Sequence, residues 1–212
     1  MGKEVKALRI FFTGVGGQGT LLATRLVGQA ALEENLPVLM NEIHGMAQRG
    51  GIVESSIVLG SAASPNIANG EADIVIAFEP LEAARGLPKC NPKTVVITST
   101  TPVPPFTVTI GRSAYPELDT LFKMVETHVA SLIRVDANKL ARSIRSERSS
   151  NVIMIGVLAG TGILPVSKTS FEQALRQILP ARLLEANLRA LDAGCRFGAQ
   201  VGAGPLSAVP DL

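Results

Sequence analysis

At 212 residues the chain fits one ordinary domain with a tail, and 46% hydrophobic against 18% charged residues excludes a disordered protein. Aromatics are only 4% with no Trp, too few for the stacking platforms of a single-stranded nucleic-acid binder. A formal net charge of +2 is too weak for a general polyanion binder, and so low a charged fraction hints that a partner covers part of the surface.

Two cysteines, Cys90 and Cys195, stand far apart with no C-x-x-C pair. The expectation is no iron–sulfur cluster and no Cys-based zinc site on this chain, and no disulfide scaffold. The N-terminus lacks the apolar core of a signal peptide, and Lys6 stands where a myristoylation pattern needs Ser or Thr. The longest apolar stretch, Val152 to Val166, is broken by Gly156, Gly160, Gly162 and Pro165. A soluble cytoplasmic protein with neither a membrane nor a nucleic-acid partner is expected.

The first unit reads strand, glycine loop, helix, strand. Leu8 to Phe12 is a β-type run, and Gly14-Val15-Gly16-Gly17-Gln18-Gly19 follows. Thr20 to Glu34 then carries Leu22, Leu26, Ala30 and Ala31 at helical spacing, before a second strand from Pro37 to Met40. This order predicts a parallel βαβ unit and an α/β fold with a mostly parallel, Rossmann-like sheet. The segment from Asn41 to Gly51 is too polar for a strand and too glycine-rich for a helix, which predicts a loop.

Ile52 to Leu59 is the third predicted strand and Asp73 to Phe78 the fourth, apolar enough to be buried on both faces. Glu79 ends it and caps a helix from Leu81 to Leu87, with Pro80 near the first helical position. Thr94 to Thr98 is the fifth strand, followed by a proline-forced extended loop. A helix from Leu118 to Val129 holds His128, which has no matching metal ligand. Leu132 to Val135 is a strand, and Asp136 caps a helix from Ala137 to Ile144. Lys139, Arg142, Arg145 and Arg148 read as a solvated, mildly basic helix face.

Val152 to Ala159 is apolar nearly all round, so as a helix it belongs inside a core or interface. Ser170 with Gln173, or Thr169 with Glu172, forms a capping box before Ala174 to Leu179. Leu184, Leu188 and Leu191 line the last helix. One domain over residues 1–198 is expected, with a flexible tail over 199–212.

Gly14, Gly16 and Gly19 have dinucleotide-binding spacing between a strand and a helix, where free N–H groups face an anion. Glu42 stands near the place of a ribose-binding acid. His44, Gln48 and Arg49 form the next constellation, in which His44 offers acid–base chemistry and Arg49 a clamp for a carboxylate or phosphate. Both loops follow strand ends, so they are expected on one rim as a ligand site or subunit interface. No catalytic residue and no metal ligand is assigned. A G-x-S-x-G elbow, an H-E-x-x-H pair and a Walker A sequence are all missing.

Several separated motifs carry a family resemblance: Gly14 to Gly19; Glu42-Ile43-His44-Gly45-Met46-Ala47-Gln48-Arg49-Gly50-Gly51; Gly70-Glu71-Ala72-Asp73; and Ala77-Phe78-Glu79-Pro80-Leu81-Glu82-Ala83. They resemble the gamma-type domain of 2-oxoacid:ferredoxin oxidoreductases, with wording closest to the small, beta subunit of the indolepyruvate enzymes. The resemblance runs from about Arg9 to Gly194, loosens over 107–150, and returns at Asn151 and at Pro180 to Asn187. It implies a three-layer α/β/α sandwich. It also implies a small subunit of a complex that decarboxylates an arylpyruvate, with indolepyruvate expected, to an acyl-CoA. Thiamine diphosphate and [4Fe–4S] clusters would sit on a large partner subunit, coenzyme A would be co-substrate, and ferredoxin would take the electrons. The isolated chain is then expected to bind no cofactor and to be inactive. Two alternatives stay open: a stand-alone NAD(P)-dependent reductase using the Gly14–Gly19 loop, and a ligand-free structural interaction module.

Overall fold

The computed structural model describes residues 7–44, 51–104, 108 and 110–202. Six strands form one sheet: β1 Leu8–Val15, β2 Val38–His44, β3 Ile52–Leu59, β4 Ile74–Ala77, β5 Val95–Ser99 and β6 Ser131–Val135. Their order across the sheet is β2-β3-β1-β4-β5-β6. Strands β1, β4, β5 and β6 pair in parallel, while β3 runs antiparallel to both β1 and β2.

The expected βαβ unit is therefore corrected. The chain does cross from β1 through a helix to β2, and these two strands point the same way. They are not neighbours, because β3 lies between them, with Val15 opposite Ile52 and His44 opposite Val53. The physical reason is the short connection from His44 to Ile52. It suits a hairpin and is too short for the crossover that a parallel neighbour requires. The expected loop at Asn41 is corrected too, since β2 runs on to His44. At the sheet's edge β2 has no described residue fully buried from Val38 to Glu42, so polar side chains there lose little hydration.

Alternation along the strands sorts side chains onto two faces. Ile10, Phe12, Ile74, Ile76, Val95 and Ile97 enter the larger core. Phe11, Val75, Ala77 and Val96 enter the smaller one. Over the larger core lie α1 Thr20–Glu33, α4 Ala137–Ser143, α5 Ser150–Gly160, α6 Lys168–Ile178 and α7 Ala181–Gly202. Over the smaller core lie α2 Pro80–Arg85 and α3 Leu118–Glu126, giving three layers.

Helix α5 is the buried centre of its layer, as its uniform apolarity predicts: every residue from Asn151 to Leu158 is buried. It crosses α7 at backbone contact. A Cβ on Gly156, Gly160, Gly194 or Gly198 would overlap backbone of the opposite helix. Helix α6 starts earlier than expected, at Lys168, because Ser167 and not residue 169 or 170 is its cap; the Ser167 hydroxyl accepts from the Ser170 N–H at 3.2 Å. His128 lies past the end of α3 in an exposed turn, its Nδ1 2.7 Å from the Met124 carbonyl. Helix α7 runs on through Gly202, beyond residue 198, and residues 203–212 lie outside the described residues.

Candidate functional site

Strand β1 leads through α1 over one face of the sheet, and β4 leads through α2 over the other. Connections that part in this way open a crevice at the carboxyl ends of two adjacent parallel strands, the usual ligand position in open α/β sheets. A cavity of about 530 Å³ lies there. Gly17, Gln18 and Gly19 wall it on the β1 side, Phe78 and Ser99 at the ends of β4 and β5, and Thr101 and Val103 beyond. Arg148, Ser150 and Asn151 close it from the α5 side.

Each residue of the glycine loop has a distinct physical reason. At Gly14 a Cβ would stand 2.9 Å from Gln18 Oε1 and 3.2 Å from Phe78 Cβ, so close packing alone requires glycine there. The Gly16 N–H donates to the Gly51 carbonyl at 2.8 Å, joining the glycine loop to the start of β3. Gly17 and Gly19 have φ of 101° and 79°, backbone that side chains rarely adopt. Gln18 uses both ends of its amide: Oε1 accepts from Val15 N–H at 2.7 Å and Nε2 donates to the Phe78 carbonyl at 3.0 Å. That side chain stitches the end of β1 to the end of β4.

Two helix starts and one guanidinium meet at the crevice. Helices α1 and α5 both start at its wall, and the residue before each gives no side-chain cap, although within α5 the Asn151 Oδ1 accepts from the Val152 N–H at 2.9 Å. The Arg148 guanidinium adds positive charge, with Glu147 beside it. The hydroxyl of Thr20, in the first turn of α1, is buried with no hydrogen-bond partner among the described residues. Asn151 Nδ2 donates to the Gly19 carbonyl at 3.4 Å and joins the two helix starts. Among the described residues no cluster of His, Cys, Asp and Glu could hold a metal ion. Cys90 packs on the smaller core and Cys195 on the larger, so the sheet separates them.

Of the residues singled out in the sequence, Gly17, Gln18 and Gly19 reach the crevice, and Gly14 and Gly16 support it from behind. His44 ends β2 on the same rim, but with β3 intervening. Gln48 and Arg49 lie outside the described residues. Glu79 caps α2 as expected, accepting from the Glu82 N–H at 3.0 Å. Ser99, Thr101 and Ser150 carry no local motif and come from distant elements, and Asn151, where the family resemblance returns, has no site role legible from the sequence. The Gly70–Asp73 motif is structural: Asp73 accepts from the Arg9 N–H at 2.7 Å, far from the crevice at the other end of β1.

Comparison with known proteins agrees with this architecture. The chain is 40% identical over 190 residues to a protein of Methanothermobacter thermautotrophicus named indolepyruvate oxidoreductase subunit IorB, covering 90% of this chain and 96% of that protein. It is 37% identical to the subunit of the same name from Archaeoglobus fulgidus, covering 88% and 93%. The fold resembles the gamma subunit of a keto/oxoacid ferredoxin oxidoreductase from Geobacter sulfurreducens, with a TM-score of 0.66 at 19% identity over 91% of this chain and 99% of that one. It also resembles about a third of a chain of the 2-oxoglutarate:ferredoxin oxidoreductase from Magnetococcus marinus, with a TM-score of 0.69 at 19% identity over 93% of this chain and 32% of that one. The model of the pyruvate ferredoxin/flavodoxin oxidoreductase family matches residues 9–197, and the chain belongs to that family.

Proposed function

We propose that this chain is the small subunit of a heteromeric, indolepyruvate-type 2-oxoacid:ferredoxin oxidoreductase. One observation carries the reading: identity of 34–40%, over nearly their whole length, to four proteins named indolepyruvate oxidoreductase subunit IorB. In this reading the large subunit holds thiamine diphosphate and the [4Fe–4S] clusters, and coenzyme A is a co-substrate of the complex. The chain's own donors agree with that division. A cubane takes four thiolates, and this chain has two cysteines on opposite faces of its sheet.

The crevice then faces the partner's active site or the coenzyme A path. Its helix starts and Arg148 suit a carboxylate or phosphate. No residue of this chain performs the decarboxylation. Two features weigh against a stand-alone NAD(P) reductase. The inserted β3 moves the end of β2 one further strand spacing, about 4.8 Å, from the glycine loop. Glu42, the candidate ribose ligand, already pairs with Arg25 at 3.4 Å.

The test is reconstitution. The two subunits are purified separately without oxygen, then assayed alone and mixed for ferredoxin reduction with indolepyruvate and coenzyme A. Activity only in the mixture, with an iron-free small subunit, is expected. Stoichiometric iron on this chain alone, a large subunit equally active without it, or micromolar NADH binding by this chain would each overturn the reading.

A further inference from the structure

A second cavity, of about 810 Å³, opens on the outer side of Asn151 between α1, the end of α4 and the start of α7. Its floor is apolar: Leu22 from α1, Leu179 before α7, and Leu183 and Ala186 from the first turns of α7. Leu183 is 43% exposed, an unusual position for a large aliphatic side chain in a wall of the fold. The rim is basic. Arg142, Arg145, Arg148 and Arg182 all line it, and Glu147 is the only acid among the residues that do. All four arginines are exposed, and among the described residues none of them makes an ion pair. Of the other described arginines, Arg9, Arg25, Arg85, Arg134, Arg189 and Arg196 each have a carboxylate within 4.0 Å, while Arg112 and Arg176, neither of which lines this cleft, have none among the described residues.

Arg145 holds a φ of 54°, the left-handed position after a helix that usually belongs to glycine. An arginine there costs backbone strain that a solvated side chain does not repay. A single small anion is a poor match for this cleft. Its guanidiniums are spread around an open apolar floor and none is buried, whereas a small-anion site gathers convergent, partly desolvated donors. Separated positive charges around exposed leucines match an extended occupant that is acidic along its edges and apolar at its centre.

We infer that this cleft docks an acidic segment of the large partner subunit, with one apolar side chain of that segment seated on Leu22, Leu179 and Leu183. The inference rests on the subunit reading above. The cleft shares Glu147, Arg148 and Asn151 with the crevice, so a segment seated in it would brace the crevice wall from outside.

The test uses the full chain and the purified large subunit. Dissociation constants are measured at several salt concentrations for wild type, for the Arg145→Glu/Arg182→Glu pair, and for Leu183→Asp. These side chains are exposed, so circular dichroism and thermal melting should report intact folds. Weakening of the complex by about tenfold to a hundredfold is expected for both variants, with a flatter salt dependence for the arginine pair. Wild-type affinity in both variants overturns the inference while leaving the subunit reading intact. So does unchanged affinity with a raised Michaelis constant for coenzyme A, which would make the rim a small-anion contact. Failure of the wild-type chain to bind the large subunit overturns the subunit reading itself, and this inference with it.

Discussion

Tyr115 donates its hydroxyl to the carboxylate of Glu79, a residue 36 positions earlier that is only 1% exposed. The same carboxylate accepts from the Glu82 N–H at 3.0 Å and the Val103 N–H at 3.1 Å. One buried charge thus caps α2, fixes the crevice wall at Val103, and pins the segment leading into α3. Hydrogen bonds to charged groups contribute about 1.5–3 kcal/mol, so Tyr115→Phe should lower unfolding stability by that order. Urea titration of the isolated chain measures it. A wild-type midpoint in the variant would show that the contact contributes nothing.

The alkaline limb of stability follows from three half-buried acids. Burial pushes the Cys90 and Cys195 thiols up to about 11 from 9.0. Burial first, and the Glu79 carboxylate second, hold the Tyr115 phenol above its ordinary value. In each case the folded state keeps its proton where the unfolded chain has lost it. The contribution is complete below the unfolded value and is lost as pH rises through the folded one. The melting temperature should therefore fall from about pH 9 upward, and the Cys90→Ala/Cys195→Ala pair should flatten the fall up to about pH 11. An unchanged slope in that pair would remove the thiols as its cause. Both thiols should also react slowly with a disulfide reagent at pH 8, since little thiolate is present.

Gly160 and Gly194 give a prediction whose sign is decisive. In an exposed helix, Gly→Ala stabilises by about 0.8–1 kcal/mol. At these positions a Cβ would overlap the backbone of Cys195 and of Ile153, respectively. Backbone offers no rotamer by which to yield, so overpacking should outweigh propensity and destabilise by roughly 1–3 kcal/mol or more. Urea midpoints for Gly160→Ala and Gly194→Ala read the sign directly. A stabilised variant would mean that the two helices stand further apart.

Much of the fold is legible because its signals are local. The apolar runs at Ile52–Leu59 and Ile74–Ala77, the Asp136 cap and the apolar α5 all lie where their own residues put them. The strand order is not local. Only the length of the link between His44 and Ile52 betrays that β3 returns as a hairpin and inserts beside β1, and reading Asn41–His44 as loop hid that clue. The start of α6 is ambiguous in the sequence because Ser167, Thr169 and Ser170 are all caps by type, and only the fold selects Ser167. The crevice was half legible. Its glycines announce themselves, whereas Asn151 meets Gly19 across 132 residues, a distance over which no spacing rule operates. The arginines from 142 to 148 are exposed, but Arg145 and Arg148 lie past the end of α4 and not on its face, and only tertiary structure brings Arg182 and the leucine floor beside them.

The contact between Gly19 and Asn151 supplies the last prediction. Gly19 is the left-handed residue before α1, and a Cβ on it would overlap the Asn151 amide. Gly19→Ala therefore carries two penalties: about 1–2 kcal/mol for left-handed backbone, and a displacement of Asn151 from the crevice wall. Asn151→Ala removes the amide that the new methyl would strike, at the cost of its bond to the Gly19 carbonyl. Once the amide is gone, only the backbone penalty of Gly19→Ala should remain. The double variant should then be more stable than the sum of the single effects, by a coupling of about 0.5–3 kcal/mol. Denaturation of the four proteins in the cycle measures it. Under the proposed function, the same singles should also weaken anion binding at the crevice in the assembled complex, because both shift the N-terminal turn of α1 against that of α5. Strict additivity in the cycle, or a Gly19→Ala complex with unchanged Michaelis constants for oxoacid and coenzyme A, would detach this pair from the site.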